Sequence, residues 1–114
     1  MALYRFNVEI ANGAAISNAI NLKGGGYSNL VLAAIICPGT IDAVTLAIQC
    51  SADDSTYKAV YGTDGNAKAI TQAASAHIAV NPADYSSVGN GFVKLATSGN
   101  VAAAREYTLV FRDA

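Results

Sequence analysis

Turn signals punctuate this chain roughly every 8–14 residues, a spacing that leaves room for strands but not for a succession of helices. Asn12-Gly13, Pro38-Gly39, Asp53-Asp54-Ser55, Thr63-Asp64-Gly65-Asn66 and Ser98-Gly99-Asn100 set turn-forming residues between apolar segments. The segments themselves alternate. Tyr4, Phe6, Val8 and Ile10 are interleaved with Arg5, Asn7 and Glu9, and Val44, Leu46, Ile48 and Cys50 with Thr45, Ala47, Gln49 and Ser51. A period of two places each set on its own face of a strand.

The same reading along the chain predicts a weaker strand over residues 16–22 and a flexible Gly24-Gly25-Gly26 stretch. Leu30–Ile36 is continuously apolar, which predicts a central strand covered on both faces. Residues 56–61 should return as the partner of the strand that ends at Ser51, with Tyr57, Ala59 and Tyr61 on one face and Lys58 on the other. Short strands are expected over 68–71 and 77–80, and a further strand over Phe92–Thr97. The last strand should point Tyr107, Leu109 and Phe111 inward. Asn81-Pro82-Ala83-Asp84-Tyr85 has the proline of a first helical turn. The Ala-rich stretch 67–79 lacks a 3.6-residue apolar stripe, so it reads as loop and strand. The expectation is one all-β domain over residues 1–114: a small antiparallel β-sandwich, jelly-roll-like, with at most a short helical turn near 82–85.

Composition narrows the function. Seven Lys and Arg against eight Asp and Glu leave a net charge of −1, which gives no basic field for nucleic acid. The longest apolar run, residues 30–37, is far shorter than the roughly 20 residues of a membrane helix. The first residues lack the apolar core and cleavage site of a signal peptide, so synthesis in the cytoplasm is expected. Charged residues are only 13 % of the chain and 23 residues are Ala, a poor strand former. Flat faces that meet another subunit would account for that, as would a codon bias toward Ala.

Candidate chemistry is sparse. His77 is the sole histidine, and no G-x-S-x-G turn surrounds any serine. Alternation sets His77 opposite Ile78 and Val80, toward solvent or an interface, so a structural role is expected. Cys37 and Cys50 have neither C-x-x-C spacing nor a paired histidine. They could face each other if their strands were neighbours, but two core thiols are the stronger expectation. Gly24-Gly25-Gly26 is not followed by G-K-[ST], and neither Asp53-Asp54 nor Asp64-Gly65-Asn66 has calcium-loop spacing. No catalytic residue, metal or cofactor is predicted. Tyr4, Phe6, Gly24, Gly25, Gly26, Tyr27 and Tyr85 are the candidate partner-binding residues, because tyrosine joins apolar area to a polar tip and a glycine loop adapts to a neighbour.

The order Ile48-Gln49-Cys50-Ser51-Ala52-Asp53-Asp54-Ser55-Thr56-Tyr57, then Val60-Tyr61-Gly62-Thr63-Asp64-Gly65, resembles small virion structural proteins of tailed bacteriophages. The likeness continues through Asn81-Pro82-Ala83-Asp84-Tyr85, Phe92-Val93-Lys94-Leu95-Ala96-Thr97-Ser98-Gly99 and Arg105-Glu106-Tyr107-Thr108-Leu109-Val110-Phe111-Arg112, covering roughly residues 8–112. The resemblance implies a non-enzymatic virion subunit that decorates or cements the capsid, with a major capsid protein or other virion proteins as partners. It brings no catalytic residues with it. A homo-oligomer, dimer or trimer, is expected from the low charge. The alternative is a carbohydrate- or receptor-binding β-sandwich of a tail or adhesin apparatus, which the absence of Trp disfavours.

Overall fold

The N-terminal alternation becomes strand β1 (Leu3–Ile10), in which Val8 and Ile10 are buried, Tyr4 and Phe6 half-buried, and the residues between them exposed. The computed structural model describes residues 3–22, 30–85 and 91–113. In it β1 is followed by β2 (Ile20–Asn21), β3 (Leu30–Ile36), β4 (Thr45–Ser51), β5 (Lys58–Ala59), β6 (Ile70–Thr71) and β7 (His77–Ala79). A 3-10 turn (Pro82–Tyr85), β8 (Phe92–Thr97) and β9 (Arg105–Asp113) complete the order.

All the pairings are antiparallel, and they nest. β1 pairs with β9, β2 with β8, β3 with β7 and β4 with β5, so the chain is one long hairpin whose arms run back along each other. The hairpin is then rolled: β9 also pairs with β3, and β8 with β4. The result is two facing sheets, β1-β9-β3-β7 and β2-β8-β4-β5, with β6 alongside β4. This is a jelly roll, the double-sheet way of folding a long antiparallel hairpin around one core.

The inner faces supply that core. Leu32, Ile35, Tyr107, Leu109 and Phe111 come from the first sheet, and Leu46, Ile48, Val93 and Leu95 from the second. Each such side chain contributes about 1.5–3 kcal/mol by leaving water. In β3 the apolar run is used on both faces. Leu30, Leu32 and Ile35 face the core, while Val31 and Ala34 on the other face are buried as well. Inward positions pass from even to odd numbers because the ladder slips at Ala33: Leu32 pairs with Phe111 and Ala34 with Val110. One extra residue in a strand makes such a bulge and restores the alternation beyond it. Gly91 leads into β8, where the carbonyl oxygen of Ser51 lies 2.3 Å from the place a Cβ would occupy, so only glycine fits this approach.

Two expected strands are shorter than their patterns suggest. Of residues 16–22, only Ile20–Asn21 is strand, with a single bridge from Ile16 to Ala96. The Ser17 hydroxyl explains the gap: it accepts from Leu95 N–H at 2.9 Å where a ladder carbonyl would otherwise stand. Of residues 56–61, only Lys58–Ala59 is strand. Asp53 Oδ1 accepts from the N–H groups of Ser55 and Thr56, which holds the chain in a turn that far. Val60, rather than its tyrosine neighbours, then enters the core.

Candidate functional site

The two sheets end in unequal edges, and β1 is the longest strand at any of them. Its register with β9 is unbroken over all eight residues, from Leu3 opposite Arg112 to Ile10 opposite Arg105. The backbone of a strand offers its N–H and C=O groups alternately to either side. Glu9 fixes which residues look outward, since its N–H donates to Asn18 Oδ1 at 2.8 Å and its carbonyl accepts from Asn18 N–H at 3.4 Å. The even residues therefore bond to β9, and Leu3, Arg5, Asn7 and Glu9 turn their backbone groups to the open side. Among the described residues only Asn18 meets that side, and only at Glu9.

The side chains of the same four residues lie on the outer face of the first sheet. Register places Arg5, Val110, Ala34 and Ala79 in one row across the four strands, and Asn7, Thr108, Ile36 and His77 in the next. Thr108 Oγ1 donates to Asn7 Oδ1 at 2.8 Å. Arg112 stands beside Leu3 on this face, and its Nε is enclosed with no hydrogen-bond partner among the described residues. At the other end Glu9 is directly opposite Glu106, a like-charge pair that costs stability in an isolated sheet.

Of the residues singled out from sequence, Tyr4 and Phe6 lie on the inner side of this edge strand, half-buried against the core. The Phe6 ring meets Phe111 edge to face, with centroids 5.7 Å apart. Tyr85 must be corrected. Its ring is only 3 % exposed and belongs to the core, because the 3-10 turn rolls it beneath β3 instead of outward. Gly24, Gly25, Gly26 and Tyr27 lie outside the described residues. Sequence reasoning overlooked three exposed large apolar side chains: Leu3 (51 %), Ile16 (47 %) and Tyr61 (64 %). Leu3 was findable, since it continues the outward set of β1.

A cleft of 310 Å³ lies between residues 41–45 and the chain near Thr71, Gln72 and Ser98. Its polar groups already have partners. Asp42 Oδ1 is 2.8 Å from Arg105 Nε, and Asp42 Oδ2 accepts from Ala102 N–H at 2.9 Å. The hydrogen bond from Arg105 holds the Asp42 carboxyl below the usual carboxylate range. Gln72 Nε2 donates to the carbonyls of Asp42 and Val44, while its Oε1 accepts from Tyr107 O–H at 2.7 Å. Such a network clasps three loops to the end of the sandwich.

His77 is exposed on the outer face, opposite Ile36. Cys37 follows β3 in one sheet and Cys50 lies in β4 of the other, so the two thiols are not on neighbouring strands and both are free. Cys37 is buried. Cys50 is half-buried, a departure from the expected pair of core thiols, and burial pushes its pKa up to about 11. Among the described residues no three His, Cys, Asp or Glu side chains gather where they could hold a metal ion, and no helix is long and apolar enough to cross a membrane. Compared with known proteins, the chain matches no family model and no curated sequence.

Proposed function

We propose that this chain is a non-enzymatic structural protein of a phage particle, made in the host cytoplasm, that decorates or cements the capsid through contacts with the major capsid protein or other virion proteins. The observation that carries the reading is the β1 edge: eight regular residues with no proline and no bulge, and with outward backbone groups met only at Glu9 among the described residues. Soluble proteins ordinarily blunt such an edge, because it is a template for another strand. Strand addition supplies main-chain hydrogen bonds without needing a specific pocket, which suits a subunit that holds a lattice by many modest contacts. The jelly roll agrees with this role, being a fold of viral capsid domains, although lectins share it. The low charge and high Ala content suit broad faces in contact with protein.

The test is binding to shells. Capsids purified without their native copy of this subunit should retain the wild-type chain through sedimentation, and a chain that stays wholly in the supernatant overturns the reading. A carbohydrate- or receptor-binding role is favoured by one feature, the exposed Tyr61 beside the Asp64–Asn66 turn. Binding to glycans that is lost in Tyr61→Ala, with no binding to shells, would establish that alternative.

A further inference from the structure

We infer that the strand received by the β1 edge is an acidic one: an extended segment of another protein, with a carboxylate opposite Arg5 and an apolar side chain on either side of it. The inference rests on the strand addition proposed above and adds the chemistry of the strand that is added.

Three features coincide over Leu3–Asn7 and end together at Val8 and Glu9. The first is the backbone. Among the described residues nothing meets the outward groups of Leu3, Arg5 and Asn7, whereas Asn18 occupies both outward groups of Glu9. The second is burial. On the inner side Tyr4 and Phe6 are half-buried, while Val8 and Ile10 are fully buried, so the core margin is unfinished only where the backbone is open. The third is charge. Arg5 is exposed on the outer face, and Arg112 stands beside Leu3 on that same face. The ion pairs among the described residues are Lys68–Asp64 and Arg105–Asp42, so neither cation is paired there. The carboxylates of this face, Glu9 and Glu106, lie where Asn18 has closed the edge.

An incoming strand must answer all three. In antiparallel pairing an outward residue exchanges both hydrogen bonds with the residue opposite, and their side chains share a face. The residue opposite Arg5 therefore lies on the outer face, where opposite charges attract across a ladder and like charges repel. Its two neighbours fall on the inner face, beside Tyr4 and Phe6, where apolar side chains would finish the burial. A second copy does not fit. Its own Val8-Glu9-Ile10 has the required order, but Val8 and Ile10 are buried and Glu9 is held by Asn18. A two-fold axis at Phe6 sets Leu3 against the other copy's Glu9, and an axis at Asn7 sets Arg5 there. An axis at Arg5 opposes the two arginines, and one at Tyr4 leaves only Leu3 opposite Arg5 among the described residues.

Short synthetic peptides of alternating Thr and Val, differing only in a central Glu or Lys, test the charge. In amide NMR titrations of the full chain, the Glu peptide should shift the Leu3, Arg5 and Asn7 resonances and bind about fivefold tighter than the Lys peptide. Arg5→Glu leaves the backbone of β1 as it is and should reverse that order. Arg5 N–H points away from β9, so Arg5→Pro removes no ladder bond within the chain yet should abolish binding of both peptides. Equal affinities, an unchanged order in Arg5→Glu, or no shift along β1 overturns the inference. If Arg5→Pro fails to fold, Arg5→Glu decides alone.

Sedimentation separates the occupants. A wild-type dimer that Arg5→Pro dissolves gives the edge to a second copy and overturns the inference. On capsids, Arg5→Pro and Arg5→Glu should both be released where the wild type is held. Shells that hold the wild type and Arg5→Glu equally refute the acidic strand while leaving the capsid role in place. Peptide selectivity in a chain that shells do not retain refutes the capsid role and leaves the preference of the edge intact.

Discussion

The two edges of the first sheet are made of the same backbone and differ in how the chain enters and leaves them. β7 is three residues long, and its neighbours keep it so. Ser75 precedes it with φ at 57°, a left-handed turn, and Pro82 follows it to open the 3-10 turn. The Cys37 N–H bonds to Ala76 O and the Val80 N–H to Ala33 O, so even residues face β3 and only His77 and Ala79 turn their backbone outward. β1 has no such ending between Leu3 and Glu9. An edge in this fold is closed by turn chemistry at its ends, and a long regular strand without it is the kind of template that other strands pair with.

Proline separates the two sides of β1. Val8→Pro removes an N–H from the β9 ladder and empties a fully buried position, so it should cost roughly 3 kcal/mol or more, enough to unfold a marginal domain. Arg5→Pro, three positions away on the open side, should cost within about 1 kcal/mol. Denaturant unfolding of both proteins checks the contrast. Equal losses would mean that the outward backbone of Arg5 is engaged, and the edge would then resemble β7.

Among the described residues, Asn18 is the one guard on the open side. Asn18→Ala frees the Glu9 N–H while the backbone N–H of residue 18 stays on the Glu9 carbonyl, and it should cost about 1 kcal/mol or less because water can replace an exposed partner. Hydrogen exchange at the Glu9 amide should quicken, while the Val8 and Ile10 amides, bonded to β9, keep their protection. Unchanged exchange at Glu9 would show that Asn18 is not what protects it.

Much of this edge was legible in the sequence. The alternation from Tyr4 to Ile10 told which side chains point to the core, and Leu30–Ile36 announced a strand buried on both faces, because burial writes itself into apolar spacing. What the pattern could not carry was pairing. That β1 meets β9 depends on two segments a hundred residues apart, and nothing local marks an edge. Where side chains substitute for the ladder, as Ser17 does at Leu95 and Asp53 does in its turn, propensity predicted longer strands than form. Tyr85 misled for a similar reason. A tyrosine after a turn reads as a surface residue until the turn is seen to roll it inward.

Acid should act on the turns before it acts on the edge. Asp53 accepts hydrogen bonds from Thr56, Ser51 and Ser55, which bring its pKa down to about 2. A carboxylate with a folded-state pKa below its unfolded value stabilises the fold above the unfolded value, near 4 for Asp, and loses that contribution as pH falls through the folded value. Asp53 therefore contributes fully above about pH 4 and loses its share between about pH 4 and pH 2. Asp42, held down by Arg105, loses stability in the same direction. Thermal midpoints measured across this range should fall with pH, and Asp53→Asn should flatten the fall. An Asp53→Asn protein with the same acid slope as the wild type would remove Asp53 from the account.

The smallest effect belongs to the opposite edge. His77 lies exposed on β7, opposite Ile36, and its backbone pairing does not depend on its side chain. His77→Ala should change stability by less than about 0.5 kcal/mol, the usual range for a surface substitution away from special contacts. Its retention on shells should match the wild type as well, because β3 and β9 lie between β1 and β7, the strand that carries His77. Both quantities come from one denaturant series and one sedimentation series run beside Arg5→Pro. A His77→Ala protein that loses association while Arg5→Pro keeps it would reverse the comparison, making the short edge the contact and the long one the closed side.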